Sequence, residues 1–160
     1  MFRGFFNTTI DAKGRTSLPA KFREVLVEKY GDERFFITNS NPVRQGEEML
    51  SGLVIHPYQE WCAIEEKFQT GAGLGLTSAQ LNNIKNWALV PAVDCSADKL
   101  GRILVPPHLR KSAGLERDIV FVGGAANKIE IWSLPKWEKV NFHAMVNFPT
   151  DTQALAELGL

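Results

Sequence analysis

One thirteen-residue segment occurs twice in this chain of 160 residues. Asp11-Ala-Lys-Gly-Arg15-Thr-Ser-Leu-Pro19-Ala-Lys-Phe-Arg23 returns as Asp98-Lys-Leu-Gly-Arg102-Ile-Leu-Val-Pro106-Pro-His-Leu-Arg110, with Asp, Gly, Arg, Pro and Arg matched at an offset of 87 residues (98 − 11). Further on, Leu53-Val-Ile-His-Pro-Tyr-Gln-Glu-Trp61 aligns with Ile129-Glu-Ile-Trp-Ser-Leu-Pro-Lys-Trp137 at an offset of 76 (137 − 61). The first copy therefore carries 11 extra residues (87 − 76), and the polar stretch from Thr38 to Glu48 is the natural place for them. The period is far too long for a solenoid. What constrains the fold is a duplicated half-domain.

Each half starts with an apolar-polar stretch, Phe5 to Ile10 or Trp87 to Val93, compatible with a strand. Asp at the first position and Gly at the fourth of the next four residues suit a type I turn. Gly14 and Gly101 can then take positive φ and start a returning strand, Thr16 to Leu18 or Ile103 to Val105. The motif thus predicts a hairpin with its tip at Lys13/Gly14 or Leu100/Gly101. Pro19 and Pro106 stop the strand and open a helix, and Gly31 or Gly114 ends it. A second strand pair follows in each half, Arg34 to Thr38 with Gly52 to His56, and Asp118 to Val122 with Lys128 to Trp132. Helices over Pro57 to Phe68 and Pro135 to Val146 close the halves, and a further helix capped by Ser78 runs through Ala88.

The expected organisation is a first repeat over 1–76, a second over 77–147 with its leading helix, and a tail over 148–160. Thr70-Gly-Ala-Gly-Leu-Gly75 reads as a flexible link between the repeats. One half alone leaves sheet edges open and has few strands for a core. The expectation is therefore an α+β chain, mainly β with helices, in which the two halves interlock into one pseudo-two-fold β-barrel.

Net charge is zero, so the chain is not a globally basic nucleic-acid binder. The distribution is uneven. From Met1 to Arg23, Arg3, Lys13, Arg15, Lys21 and Arg23 face only Asp11, a balance of +4 (5 − 1). From Leu89 to Arg110, Lys99, Arg102 and Arg110 face Asp94 and Asp98, a balance of +1 (3 − 2). A neutral protein can still bind an anion through such a patch. No apolar run approaches the roughly 18 residues of a membrane span. Cys62 and Cys95, one per half and with no export signal before them, are expected as reduced thiols in the cytoplasm.

Both motif copies, the opening Phe2-Arg-Gly4 and the closing Ile129-Glu-Ile-Trp132 resemble the MraZ family of the AbrB/SpoVT-like swapped-hairpin superfamily. The resemblance runs from about Met1 to Trp137. It implies a double swapped-hairpin AbrB-like barrel and a sequence-specific DNA-binding transcriptional regulator of the division and cell-wall gene cluster. It also implies a ring-shaped homo-oligomer on repeated promoter boxes of double-stranded DNA, in the cytoplasm at the nucleoid. The second copy has Lys99-Leu100 where the first has Ala12-Lys13, so the two copies need not contact DNA alike.

Turn chemistry explains Asp11, Gly14, Asp98 and Gly101, while Pro19 and Pro106 are structural stops. Arg15 and Arg102 could pair with the aspartate four residues earlier, or reach DNA from the hairpin. A two-stranded ribbon fits the major groove, with arginine forking onto guanine or phosphate and lysine contacting phosphate. The DNA-binding candidates are Arg15, Lys13, Arg3, Lys21, Arg23, Lys99 and Arg102. Arg23 and Arg110, set in helices, could instead be solvated or ion-paired. His56, His108 and His143 are widely spaced without metal-ligand spacing, and the serines lack a visible base, so no metal, cofactor, small-molecule substrate or catalytic role is expected. The tryptophans read as core or subunit interface. The alternative is an oligomeric adaptor that uses the barrel without DNA, for which cations concentrated at one hairpin serve no purpose.

Overall fold

The computed structural model describes residues 1–71, 74–124 and 126–160. Its first half runs β1 (Phe5–Thr9), β2 (Arg15–Ser17), α1 (Ala20–Tyr30), β3 (Phe35–Asn39), β4 (Val43–Gln45), β5 (Glu48–Leu50), β6 (Leu53–Pro57) and α2 (Tyr58–Thr70). The second runs α3 (Ser78–Ile84), a π-helical turn (Lys85–Leu89), β7 (Val93–Cys95), β8 (Arg102–Leu104), α4 (Pro107–Ala113), β9 (Asp118–Gly123), β10 (Ile129–Ser133) and α5 (Leu134–Val146). A last helix, α6 (Thr152–Leu158), follows. The chain is mixed α+β, with one antiparallel sheet of six strands and six α-helices among the described residues.

The sheet order β1-β9-β10-β6-β3-β7 reads the same from either end once the halves are exchanged. Both edge strands lie against the other half: β1 pairs β9, and β7 pairs β3. At the centre β6 and β10 pair so that Val54 faces Glu130, with Leu53 opposite Ile131 and Ile55 opposite Ile129. These are self-exchanging positions at the 76-residue offset, so a local two-fold passes through the Val54/Glu130 pair. β2 and β8 repeat the pattern at the 87-residue offset, with Thr16 facing Ile103. The hairpin motifs thus cross between repeats. Their strands take ladder partners from the other half rather than from themselves.

Four expectations change. The closed barrel is not formed by hydrogen bonds among the described residues: the sheet ends at β1 and β7, because β2 and β8 give their ladder to each other as a separate ribbon. The 11-residue insertion is divided. Thr8 faces Ile119 and its counterpart Cys95 faces Phe35, so β3 and β9 correspond at an offset of 84 (119 − 35). Three residues (87 − 84) therefore enter before β3, where α1 outlasts α4, and eight (84 − 76) enter as the β4–β5 hairpin. Trp87 to Leu89 are π-helical, not strand, and β7 starts only at Val93. The leading helix is capped by Thr77 rather than Ser78: its hydroxyl accepts from the Gln80 amide while the Gln80 side chain accepts from the Thr77 amide. The link expected over Thr70–Gly75 lies partly outside the described residues.

The core fills the space between the sheet, the ribbon and the motif helices. Leu18, Phe22 and Leu26 from the first motif meet Val105, Leu109 and Ala113 from the second, over Phe35, Ile37, Leu53, Ile55, Ile119, Phe121, Ile129 and Ile131. All are buried, and most sit at positions that alternate on strands or recur one turn apart on helices. Phe22 is edge-on to Phe2 and Phe6, centroids 5.6 and 5.1 Å away. On the outer face α2 covers β3 and β6 through Trp61, stacked on Phe36 at 5.2 Å, and α5 covers β10 through Trp137 beside Trp132. The first repeat's tryptophan is the better buried. Trp61 is 2% exposed, which removes it from any subunit interface, while Trp87 and Trp137 are half-buried.

Candidate nucleic-acid interface

Each hairpin tip is organised by its aspartate. Asp11 Oδ1 accepts from the Lys13 and Arg15 amides at 3.0 and 2.9 Å, and Oδ2 accepts from Arg15 Nε at 2.7 Å. Asp98 repeats this with the Leu100 and Arg102 amides, both 2.9 Å, and with Arg102 Nε at 2.9 Å. Bonding to the backbone amide of Arg15, then to its side chain, holds the Asp11 carboxyl below its ordinary range; the Arg102 amide leads the same effect on Asp98. Gly14 and Gly101 close the turns at φ 87° and 79°, donating to the Asp11 and Asp98 carbonyls. A side chain at Gly14 would run into the Val105 carbonyl and Arg110, so this position requires glycine for space as well as for φ. Thr16 Oγ1 donates to the Thr9 carbonyl at 2.8 Å and closes the first hairpin below the tip.

The ribbon turns these tips into one surface. Thr16 and Ile103 point into the core, so Arg15, Ser17, Arg102 and Leu104 occupy the exposed face by alternation. Arg15 lies opposite Leu104 and Arg102 opposite Ser17, which makes the two arginines diagonal neighbours, roughly 7–8 Å apart between Cα atoms. Both arginines border a shallow depression of about 310 Å³ with Ser96, Ala97, Asp98, Ile103 and Leu104, and another of about 240 Å³ with Thr8, Thr9, Asp11, Thr16 and Ser17. Their side chains are 50% and 48% exposed, so each guanidinium is anchored through Nε while its outer edge faces solvent. Arginine can offer such an edge to a phosphate or to a guanine.

The other candidates are spread around this face. Lys13 and Lys99 are exposed on the tips, and Lys21 is exposed on the first turn of α1. Arg3 is exposed too but precedes β1, whose five residues put roughly 16 Å of strand between it and the first tip. Arg23 is half-buried against Gly101, with its Nε shielded and without a hydrogen-bond partner. The expected contrast between repeats is absent from the ion pairs, since Arg15 and Arg102 hold their aspartates alike. Sequence reasoning missed Ser17 and Leu104, although stepping two residues along each strand from its arginine finds them. It also missed Arg110, which is half-buried and bonded to backbone rather than to an acid: Nε donates to the Val105 carbonyl at 3.1 Å and a terminal nitrogen to the Ala12 carbonyl at 3.0 Å.

Among the described residues no group of three or more His, Cys, Asp or Glu side chains could hold a metal, and no helix is long and apolar enough to cross a membrane.

Residues 88–157 match a family model described as "MraZ protein, putative antitoxin-like". The chain is 67% identical over 161 aligned residues to a protein of Geotalea daltonii named "Transcriptional regulator MraZ", covering all of both chains. It is 60% identical, again over the whole of both, to the protein of that name from Geobacter sulfurreducens. The relative of the same name from Caldanaerobacter subterraneus subsp. tengcongensis is 38% identical, with 92% of each chain covered. The aligned spans cover both hairpin motifs, and the chain belongs to the MraZ family of transcriptional regulators.

Proposed function

We propose that this chain is a sequence-specific DNA-binding regulator that grips double-stranded DNA with the β2–β8 ribbon. The observation that carries the reading is the pair Arg15 and Arg102, preset by Asp11 and Asp98 on one exposed face of a two-stranded ribbon. Such a ribbon has the width of the B-DNA major groove. Arg15 and Arg102 read bases or clamp phosphates, while Lys13, Lys99, Lys21 and, at the periphery, Arg3 and Arg23 contact the backbone as positive charge. The two repeats, 1–76 and 77–147, act as one AbrB-like swapped-hairpin unit, with 148–160 as a tail.

The targets are repeated boxes in promoters of the division and cell-wall gene cluster, including the chain's own, and the site of action is the cytoplasmic nucleoid. The relatives' name supports the regulatory role, and the targets are what the resemblance of the hairpin motifs implies. Repeated boxes suit a ring-shaped homo-oligomer, because joining several weak motif–box contacts raises overall affinity through effective concentration. Exposed apolar side chains on α5 and beyond, Phe142, Met145, Val146 and Phe148, support a self-association surface at that end. Footprinting on DNA upstream of the chain's own gene tests the reading. Regularly spaced protected boxes are expected; protection no different from that on unrelated DNA would leave the adaptor role in front.

A further inference from the structure

The two motif helices do different things at the tips. Arg110 and Arg23 are equivalent at the 87-residue offset (110 − 23), and each lies beside the tip glycine of the other repeat. Arg110 has closed a latch. From α4 of the second repeat it bridges the Val105 carbonyl, where the ribbon ends, and the Ala12 carbonyl on the first tip. Arg23 packs on Gly101 with its Nε unpartnered, so among the described residues the second tip has no matching bridge. Ala12 directly precedes Lys13, whose amide is bonded to Asp11, so anchoring the Ala12 carbonyl fixes the loop that carries Lys13 and Arg15.

We propose that Arg110 is a positioning residue for the first DNA-facing hairpin: it reaches across from the second repeat, holds the tip by the Ala12 carbonyl and so presets Lys13 and Arg15. This deepens the DNA-binding reading and rests on it. The chemistry needs a guanidinium, because a planar fork offers two nitrogens at fixed separation to two carbonyl oxygens, whereas an ammonium is a compact point donor. A tip fixed before binding loses less conformational freedom on contact, and affinity is higher for that reason. The second tip, without the bridge, remains adjustable.

The full-length variants Arg110→Lys and Arg110→Gln test this in two ways, once far-UV circular dichroism shows them folded. Without DNA, amide exchange at Lys13, Gly14 and Arg15 should quicken roughly tenfold in both, as for loss of one charge-assisted hydrogen bond, while Leu100 to Arg102 stay unchanged. With promoter DNA, both should bind roughly tenfold more weakly and keep the wild-type salt dependence, since no phosphate contact is lost. Wild-type binding by Arg110→Lys, or a salt slope shallower by about one in Arg110→Gln, would make Arg110 a phosphate contact and overturn the proposal. Unchanged exchange at the first tip would overturn it as well, and so would loss of folding in both variants, which would make Arg110 a determinant of the fold. If the wild type showed no preference for promoter DNA, the functional reading would fail by itself, and exchange alone would decide whether Arg110 holds the tip.

Discussion

Arg15 commits one nitrogen to Asp11 and leaves its outer edge exposed, so the ion pair is compatible with the proposed DNA contact. Arg15→Ala should weaken promoter binding by about 1–3 kcal/mol if it reads a base. The fold should survive, because exposed ion pairs contribute little to stability; titration alongside a thermal melt checks both statements. Lys13→Ala should weaken binding to all sequences alike and flatten the salt dependence, as a phosphate contact does. Equal loss with Arg102→Ala would mean that the geometric likeness of the two ion pairs outweighs the charge difference between the repeats. Asp11 and Gly14 were legible from turn chemistry, and Arg15 from the repeat and the cations near it. Arg110 was not, because its partner Ala12 lies in the other repeat and a carbonyl has no sequence signature.

Among the elements, the first hairpin's two strands, the returning strand of the second and the motif helices follow from local chemistry, and the structure keeps them within a residue or two of expectation. What could not be read was the exchange of partners between β1 and β9, β2 and β8, and β3 and β7, because pairing between distant strands depends on packing as a whole. The undivided insertion was an error of the same origin: two offsets fix its length but not its division between α1 and β4–β5. Trp87 to Val93 failed as a strand because the Asn39 side chain donates to the Trp87 carbonyl, Thr38 bonds the Ala88 carbonyl, and the Trp87 indole donates to the Ser40 carbonyl, stitching the π-helical turn to β3. Under α2, His56 lies 5.7 Å from the Trp61 ring, and burial, then Lys128, pushes its pKa down to about 4, against Glu60 acting the other way. The unfolded chain binds that proton near pH 6.5 and the folded one only near 4. Stability should therefore fall as pH drops through this window, with the unfolded state taking up the proton. Replacing His56 with Phe should remove that part of the loss, as followed by melting temperature from pH 7 to 4.

At the scale of the molecule, strands of the two repeats share one sheet. A fragment of residues 1–76 keeps β3 and β6 but loses the partners of β1 and β2, leaving open edges and a halved core. It should aggregate or dimerise; a monomeric half that unfolds cooperatively would contradict the interlocked fold. Self-association of the whole chain is expected through the exposed apolar side chains of α5, not through Trp61, which is already covered. Light scattering at a concentration-independent 17.9 kDa would exclude it. The duplication was legible as a pseudo-two-fold, but barrel closure was not, since nothing in the motif says whether β2 and β8 join the main sheet or each other. The proposed function stands on the paired hairpins forming a DNA-binding face. Its most direct measurement is a titration of the intact protein against DNA upstream of its own gene and against the same bases in scrambled order, at two salt concentrations. Binding to the promoter should be tighter, and both should weaken steeply with salt. Equal affinity for the two sequences, or binding indifferent to salt, would contradict it.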